Sequence, residues 1–239
     1  MHVIAPNIEI YDLQELDVRA LVRAMPAGLP EKLGYTEDRS SVRYQRALSL
    51  ILRHFVLARV LGVHPQDLKF EKQPEGKPVL TGRDLLFNVS HTARYWAVAY
   101  CAFEEGIKGL GLDIEQRRGK SIEELRAIAR RYFHEDEYAF LESMTDPALW
   151  VDRFYDLWTK KEALAKAGGE GLAATLARID VASGAGLENY GVVSLDFPHG
   201  PEREKLYGAL AFSLAAGDEK KFSFNAEVLF VDECRSPSF

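Results

Sequence analysis

The sequence predicts an α+β fold built from small antiparallel sheets. The predicted helices and strands form separate groups along the chain instead of alternating, which argues against a parallel sheet with crossover helices. Four strand-like runs follow the longest predicted helix, separated by turns rich in glycine, proline and charged residues. They cover residues 178–181, 192–197, 206–215 and 222–231.

In the first half of the chain, residues 39–61 predict a helix. Leu48, Leu52 and Phe55 recur on one face, arginines occupy the other, and Gly62 ends the pattern. Residues 85–89 and 94–103 predict a pair of strands. The stretch 104–108 is the best candidate for a boundary, which predicts an N-terminal half at 1–106 and a C-terminal half at 107–239.

In the second half, residues 109–115 predict a short strand. Ser121 and Glu124 form a capping box that predicts a helix over 121–132. A longer helix is predicted at 153–167, because Gly168 and Gly169 follow its periodic pattern.

Composition restricts the class of function. The chain has 239 residues, a hydrophobic fraction of 47% and a net charge of −6, which is typical of a soluble globular protein and unfavourable for nucleic-acid binding. Its longest apolar run, residues 95–103, is far too short to span a membrane, and the N-terminus does not resemble a signal peptide. We expect a cytoplasmic protein that binds neither nucleic acid nor membrane, with Cys101 and Cys234 reduced.

The helix at 153–167 places charged residues where a core helix has apolar ones. Lys161 interrupts an apolar stripe, while Trp158, Glu162 and Lys166 share the neighbouring stripe at i, i+4 and i+8. Two interpretations are open. The lysine stems can cover the edge of a core from the surface, or the charged groups can converge in a site.

The strand at 109–115 carries two carboxylates on one face. Asp113 and Glu115 are roughly 6–7 Å apart along the backbone, so both can reach one cation. Mg²⁺ suits such a pair, because substrate phosphates and water usually complete its coordination. We expect the glycines of this strand to leave room for a ligand. The alternative is an edge strand with a solvated polar face.

Basic residues that could bind phosphates are spread over the chain. No standard P-loop or dinucleotide-binding fingerprint is present, and Gly109-Leu-Gly111 lacks the third glycine of the latter. Motifs of serine hydrolases and zinc proteases are also missing. The basic groups, together with Ser90 and His91, indicate an anion with several phosphates. They are Arg43, Arg46, Arg53, Lys77, Lys161 and Lys166.

Four motifs appear in a fixed order: GKP at 76–78, FNVSHT at 87–92, GLDIE at 111–115 and FYDLWTKKEALAKAGGEGL at 154–172. As a set they closely resemble the 4′-phosphopantetheinyl transferases of the surfactin-synthetase-activating type. The resemblance runs from about residue 30 to 172, and beyond 180 it extends only to strand-rich character. Such enzymes move the phosphopantetheine arm of coenzyme A onto a serine of an acyl or peptidyl carrier protein, with Mg²⁺.

The resemblance implies a pseudo-twofold arrangement of two similar α+β halves, with coenzyme A in the cleft between them. It assigns Mg²⁺ to Asp113, Glu115 and Glu162, with Glu162 also the base that deprotonates the carrier serine. The residues it assigns to the pyrophosphate are Lys161 and Lys166; those it assigns to the adenylate and its 3′-phosphate are Lys32, Arg46, Lys77, Ser90 and His91. Arg43 is the rival of Arg46, and Glu137 matches a further family acid whose role is open.

Elementary chemistry favours the same assignment. A serine hydroxyl is a weak nucleophile and needs a nearby base, and a reacting pyrophosphate needs cations to neutralise its charge. The alternative function is a module of the same fold that binds coenzyme A or a carrier domain without transfer. A pure binding module would not need all three carboxylates, so we expect an enzyme, acting as a monomer.

Overall fold

The predicted α+β class is confirmed. The computed structural model describes residues 2–74, 76–117, 119–169, 177–197, 205–217, 222–224 and 226–231. The helices in these residues are α1 (Val18–Ala24), α2 (Leu29–Lys32), α3 (Val42–Leu61), α4 (Ile122–Tyr132), α5 (Glu135–Glu142) and α6 (Pro147–Gly168). The strands are β1 (His2–Ile4), β2 (Asn7–Asp12), β3 (Phe70–Lys72), β4 (Pro78–Leu80), β5 (Leu85–His91), β6 (Tyr95–Ala102), β7 (Ile107–Gln116), β8 (Tyr190–Ser194), β9 (Leu206–Leu214), β10 (Phe222–Phe224) and β11 (Glu227–Val231).

A four-stranded sheet in the order β11-β2-β6-β5 carries the first long helix. The strands β2, β6 and β5 are antiparallel, as predicted, whereas β11 runs parallel to β2. Helix α3 begins at the N-cap Ser41, ends at the left-handed Gly62, and buries Ile51 and Phe55 in a cluster that contains Trp96 of β6. Because β11 returns to this sheet from the end of the chain, the division at residue 106 stays a prediction.

A three-stranded antiparallel sheet in the order β7-β9-β8 carries the second long helix. Helix α6 starts six residues earlier than predicted, because Asp146 caps its N-terminus and Pro147 occupies the first turn. It ends at the left-handed Gly169, in agreement with the glycine signal.

The main core lies between the two sheets and covers one face of β7. Leu110, Leu112 and Ile114 pack there against residues of β2 such as Ile8 and Ile10. Helix α6 covers the other face of β7. The solvated edge-strand interpretation of this segment is therefore wrong.

Two predictions about the last third need correction. Residues 178–181 form turns instead of a strand, because the Asp180 carboxylate accepts hydrogen bonds from the backbone N–H groups of Ala182 and Ser183. The run 222–231 forms two strands, β10 and β11, in different sheets. Among the described residues, no helix is both long and apolar enough to cross a membrane.

Candidate active site

Helix α6 approaches β7 so closely that glycine is required at two positions. A Cβ on Gly111 would lie 1.9 Å from the carbonyl oxygen of Ala163, and one on Gly109 would lie 2.2 Å from that of Ala167. The expectation that these glycines leave room for a ligand is therefore wrong, since backbone of α6 fills that space. Their function is to let the helix bring its side chains onto the strand.

Lys166 of α6 reaches the first predicted metal ligand. Its Nζ lies 2.7 Å from Oδ1 of Asp113 and donates to the carbonyl of Leu112 at 3.0 Å. Ser90 of β5 donates to the same Oδ1 at 3.0 Å, and its own hydroxyl oxygen accepts from Lys166 at 3.2 Å. Asp113 is 5% exposed. Burial raises the pKa of its carboxyl group, and the Lys166 charge opposes that shift.

Glu162 is a second carboxyl group of this region with a raised pKa. Burial, followed by the charges of Asp113 and Glu115, raises its pKa from 4.5 to about 7, although Lys166 acts in the opposite direction. Asp113 and Glu115 therefore act electrostatically on Glu162, and the binding of one cation by the three carboxylates stays a prediction. A carboxylate with a pKa near neutrality is suited to accept a proton from a hydroxyl.

The site fits a divalent cation. Oδ2 of Asp113 is buried and has no hydrogen-bond partner among the described residues, which is costly unless a ligand satisfies it. The three carboxylates do not lie close enough together to form a preformed metal site. Within the described ranges, the group of three residues whose possible ligand atoms all lie within 4.8 Å of one another consists of His134, Asp136 and Asp180. Like charges repel, so three carboxylates without a cation are expected to lie further apart than ligands do.

Along the edge of β7 that faces the N-terminal sheet, backbone N–H groups donate hydrogen bonds to side chains of β5. Oδ1 of Asn88 accepts from the backbone N–H of Leu112 at 3.0 Å, and the hydroxyl of Ser90 accepts from that of Ile114 at 3.2 Å. These alternate residues hold the two sheets in one register. Ser90 thus has a buried role between the sheets that the sequence did not indicate.

Lys77 also links the two halves. Its Nζ donates to the carbonyls of Leu110 at 2.9 Å and Lys166 at 2.5 Å, so it caps the C-terminal end of α6. Burial lowers the pKa of Lys77 to about 8. A cleft of about 220 Å³ next to Lys77 is lined mainly by apolar residues such as Leu86 and Phe103.

The structure does not bring Lys161 to the carboxylate cluster. Its side chain is 0% exposed, lies 2.8 Å from Oε2 of Glu137 and donates to the carbonyl of Ile179. The expectation that Lys161 breaks the apolar face in order to reach across the seam is not supported by this placement. The lysine breaks that face because a buried glutamate lies opposite it.

The remaining predicted phosphate contacts lie at one end of the N-terminal half. His91 ends β5 opposite Trp96, whose indole N–H donates to Ser49 of α3 at 2.9 Å. One turn before Ser49, Arg46 is exposed on α3, and Lys32 is exposed at the end of α2. These groups are open to solvent at the start of α3, whereas Lys166 is partly buried against Asp113.

The sequence predicted that Arg53 lies on the polar face of α3 with the other arginines, and this prediction is wrong. Its guanidinium lies 3.9 Å from the centre of the Phe70 ring, and burial lowers its pKa to about 10. It therefore packs under the β3-β4 hairpin instead of lying on an open basic surface.

Comparison with known proteins identifies the family of the chain. Residues 109–207, which include β7 and α6, match the model of the 4′-phosphopantetheinyl transferase superfamily. The 4′-phosphopantetheinyl transferase Sfp of Bacillus subtilis (strain 168) is 34% identical over 167 residues, 69% of this chain and 68% of that protein. The chain belongs to this superfamily.

Further relatives carry the same description. A 4′-phosphopantetheinyl transferase of Bacillus subtilis is 36% identical over 146 residues, which is 61% of this chain and 59% of the relative. The 4′-phosphopantetheinyl transferase HetI of Nostoc sp. is 37% identical over 131 residues, 53% of this chain and 52% of that protein. The matched regions thus span between about half and two thirds of the relatives' own lengths.

Proposed function

We propose that this protein transfers the 4′-phosphopantetheine arm of coenzyme A to a serine of an apo acyl or peptidyl carrier protein. The serine oxygen forms a bond to the phosphorus next to the pantetheine arm, the pyrophosphate bond to the adenosine half breaks, and adenosine 3′,5′-bisphosphate leaves. Superfamily membership supports the reaction class. The observation that carries the proposal is the contact of Lys166 with Asp113, whose second carboxylate oxygen is buried without a hydrogen-bond partner among the described residues, and the charges of Asp113 and Glu115 that act on Glu162 support it.

Glu162 is the proposed base. In the metal-free protein its pKa is raised to about 7, and a cation bound beside it would lower that value, so that Glu162 is ionised near neutral pH and can take the serine proton. The serine proton moves to Glu162 as the oxygen attacks. Such a base typically contributes about 10²–10⁴-fold to the rate.

Asp113, Glu115 and Glu162 would hold a divalent cation, and Mg²⁺ is our proposal for its identity. When bound, it supplies positive charge that neutralises the pyrophosphate oxygens. The orphaned Oδ2 of Asp113 supports this assignment. Lys166, which already lies against Asp113, is placed to add a second positive charge on the leaving half.

The contacts to the adenosine half stay proposals. His91, Arg46 and Lys32 are exposed at one end of the N-terminal half, where they could bind the 3′-phosphate. Lys77 and Ser90 make internal contacts between the halves, so we propose that they shape the cleft in addition to any contact with coenzyme A. We also propose a cytoplasmic monomer.

The direct test incubates the protein with coenzyme A, Mg²⁺ and an apo-carrier protein, and then weighs the carrier by mass spectrometry. We expect a mass gain of one phosphopantetheine group, with adenosine 3′,5′-bisphosphate as the second product. A panel of fatty-acid, polyketide and peptide carriers identifies the preferred partner. If no carrier gains mass while coenzyme A still binds, the protein is a binding module of this fold.

Lys77→Ala tests the proposed role of Lys77 in coenzyme A binding. We expect it mainly to weaken coenzyme A binding, because the GKP turn and the end of α6 lose their shared contact. Isothermal titration with coenzyme A measures this. An unchanged Kd with a loss of turnover would instead place Lys77 at the reacting centre.

A further inference from the structure

Lys161 and Glu137 form an ion pair from which solvent is excluded. Nζ of Lys161 lies 2.8 Å from Oε2 of Glu137, and both side chains are 0% exposed. The ammonium group also donates to the carbonyl of Ile179 at 2.6 Å and lies 5.6 Å from the centre of the Phe133 ring. These contacts connect α6 to the end of α4, to α5 and to the turn before β8.

Glu137 extends the same connection. Its Oε2 accepts from the backbone N–H of His134 at 3.0 Å, where it completes the capping box of α5. Its Oε1 accepts from the backbone N–H of Val181 at 2.8 Å. One buried carboxylate therefore joins the N-terminus of α5, the lysine of α6 and the turn at Val181.

The position of Lys161 in α6 links this cluster to the reacting groups. Consecutive residues in a helix point roughly 100° apart, so Glu162 leaves the helix on a different side from Lys161. Holding Lys161 against Glu137 on one side fixes the rotation of α6, and the closely packed Gly111 on β7 fixes its height. Both constraints act on the helix that carries Glu162.

We propose that Glu137 and Lys161 are a positioning pair for the transfer reaction: they fix the rotation of α6 so that Glu162 faces Asp113 and Glu115, and Lys161 does not contact the pyrophosphate. The catalytic part of this inference rests on the proposed function. The pair acts through Glu162, since Lys161 is fully buried and engaged elsewhere.

Charge balance gives the inference a sharp test. Removing one member of a buried ion pair leaves an uncompensated charge and is strongly destabilising, whereas replacing both members by neutral groups is often tolerated. The variants are Lys161→Met, Glu137→Gln and the double variant. The amide introduced by Glu137→Gln retains an oxygen that can accept from one of the two backbone N–H groups.

Each single variant is expected to lower the denaturant midpoint of unfolding and to lower kcat by at least about tenfold, because a misplacement of about 1 Å can cost about 10²-fold. The Kd for coenzyme A, measured by titration without added metal, is expected to stay unchanged. The double variant is expected to recover most of both losses. The affinity for Mn²⁺, measured by paramagnetic resonance, reports the position of Glu162 without catalysis. We expect this affinity to fall in each single variant and to recover in the double variant, in parallel with kcat.

Two lysines of the same helix serve as matched controls. Lys166→Met removes the ammonium that lies against Asp113, so it is expected to weaken coenzyme A binding with no recovery when Glu137→Gln is added. Lys160→Met removes a lysine that pairs with Asp156, which keeps Arg153 as a second partner, and it is expected to behave like the wild-type protein.

The inference is overturned if Lys161→Met raises the Kd for coenzyme A and the double variant recovers neither stability nor kcat, since Lys161 would then act on the phosphates. It is also overturned if the single variants leave Mn²⁺ affinity unchanged. A wild-type protein that modifies no carrier would reject the proposed function instead, and the Mn²⁺ and unfolding measurements would still decide the role of the pair.

Discussion

The two long helices of the molecule pack on their sheets in different ways. Helix α3 presents Ile51, Leu52 and Phe55 to the core of the N-terminal half and leaves cations such as Arg46 in solvent. Helix α6 instead buries Lys161 completely and directs further charged side chains toward β7. Both helices pair charges, since Arg59 of α3 pairs with the buried Glu9, but the pairs of α6 include a completely buried lysine and a carboxylate of the candidate site.

This difference separates the two tasks of the proposed reaction. Cations in solvent can attract and bind an anionic substrate without strict geometry. A base and metal ligands need fixed positions, which buried and paired side chains provide. We therefore expect substitutions of the exposed cations on α3 to change affinity, and substitutions of Lys161 and Glu162 on α6 to change turnover.

The largest expected effect is that of Glu162→Gln. The amide cannot accept the serine proton, so we expect transfer to fall by about 10²–10⁴-fold or more. Binding of coenzyme A should be largely retained, because the substitution keeps the shape of the side chain. Initial rates of carrier modification, measured by mass spectrometry, and titration with coenzyme A check the two parts. Near-normal turnover would contradict the assignment of the base.

Gly111→Ala tests the close approach of α6. Its Cβ would lie 1.9 Å from the backbone oxygen of Ala163, so the helix or the strand has to move. We expect a loss of about 1–3 kcal/mol in the free energy of unfolding, together with a fall in kcat. Gly119→Ala is the matched control, because a Cβ there meets nothing within 4 Å. Equal stability of the two variants would show that the contact is not rigid.

Sequence patterns predicted much of this structure, and the failures have physical reasons. The periodicity of α3 and the capping box of α4 are local signals, and both helices were found within a few residues of their predicted ends. The partner of Lys161 lies 24 residues earlier in the chain, at Glu137. Nothing in the spacing of a single sequence indicates such a pairing, and the assignment of Lys161 to the pyrophosphate rested on the family resemblance.

The glycines of β7 also show that a sequence pattern does not indicate contacts between distant segments. Their presence beside Asp113 was clear from the sequence, but what fills the space above them depends on the packing of α6. Periodicity reports which residues share a face and cannot report which backbone lies against it. The grouping of Asp113, Glu115 and Glu162, in contrast, was implied by the family resemblance and stays a prediction, which the effect of Asp113 and Glu115 on the pKa of Glu162 supports.

A smaller effect is expected in the pH dependence of stability of the metal-free protein. The pKa of Glu162 is raised from 4.5 to about 7, so its stabilising contribution is complete below pH 4.5 and is lost as the pH rises through 7. Urea unfolding in a chelator at pH 5.5 and pH 8 should show this decline. In Glu162→Gln the decline should be smaller, and the difference from the wild-type protein isolates Glu162 from Asp113. An equal decline in both proteins would contradict the raised pKa.

The smallest expected effect distinguishes the two candidate arginines of α3. Both arginines are exposed, but the Nε of Arg43 donates to the carbonyl of Gly34 at 3.2 Å. We expect Arg46→Ala to weaken coenzyme A binding by up to about fivefold with kcat unchanged, because an exposed ion pair is worth up to about 1 kcal/mol. Arg43→Ala should change the Kd less, since the Nε of Arg43 is already engaged by Gly34. A larger loss of affinity in Arg43→Ala would assign the phosphate contact to Arg43, and a loss of kcat in either variant would contradict the separation of affinity on α3 from turnover on α6.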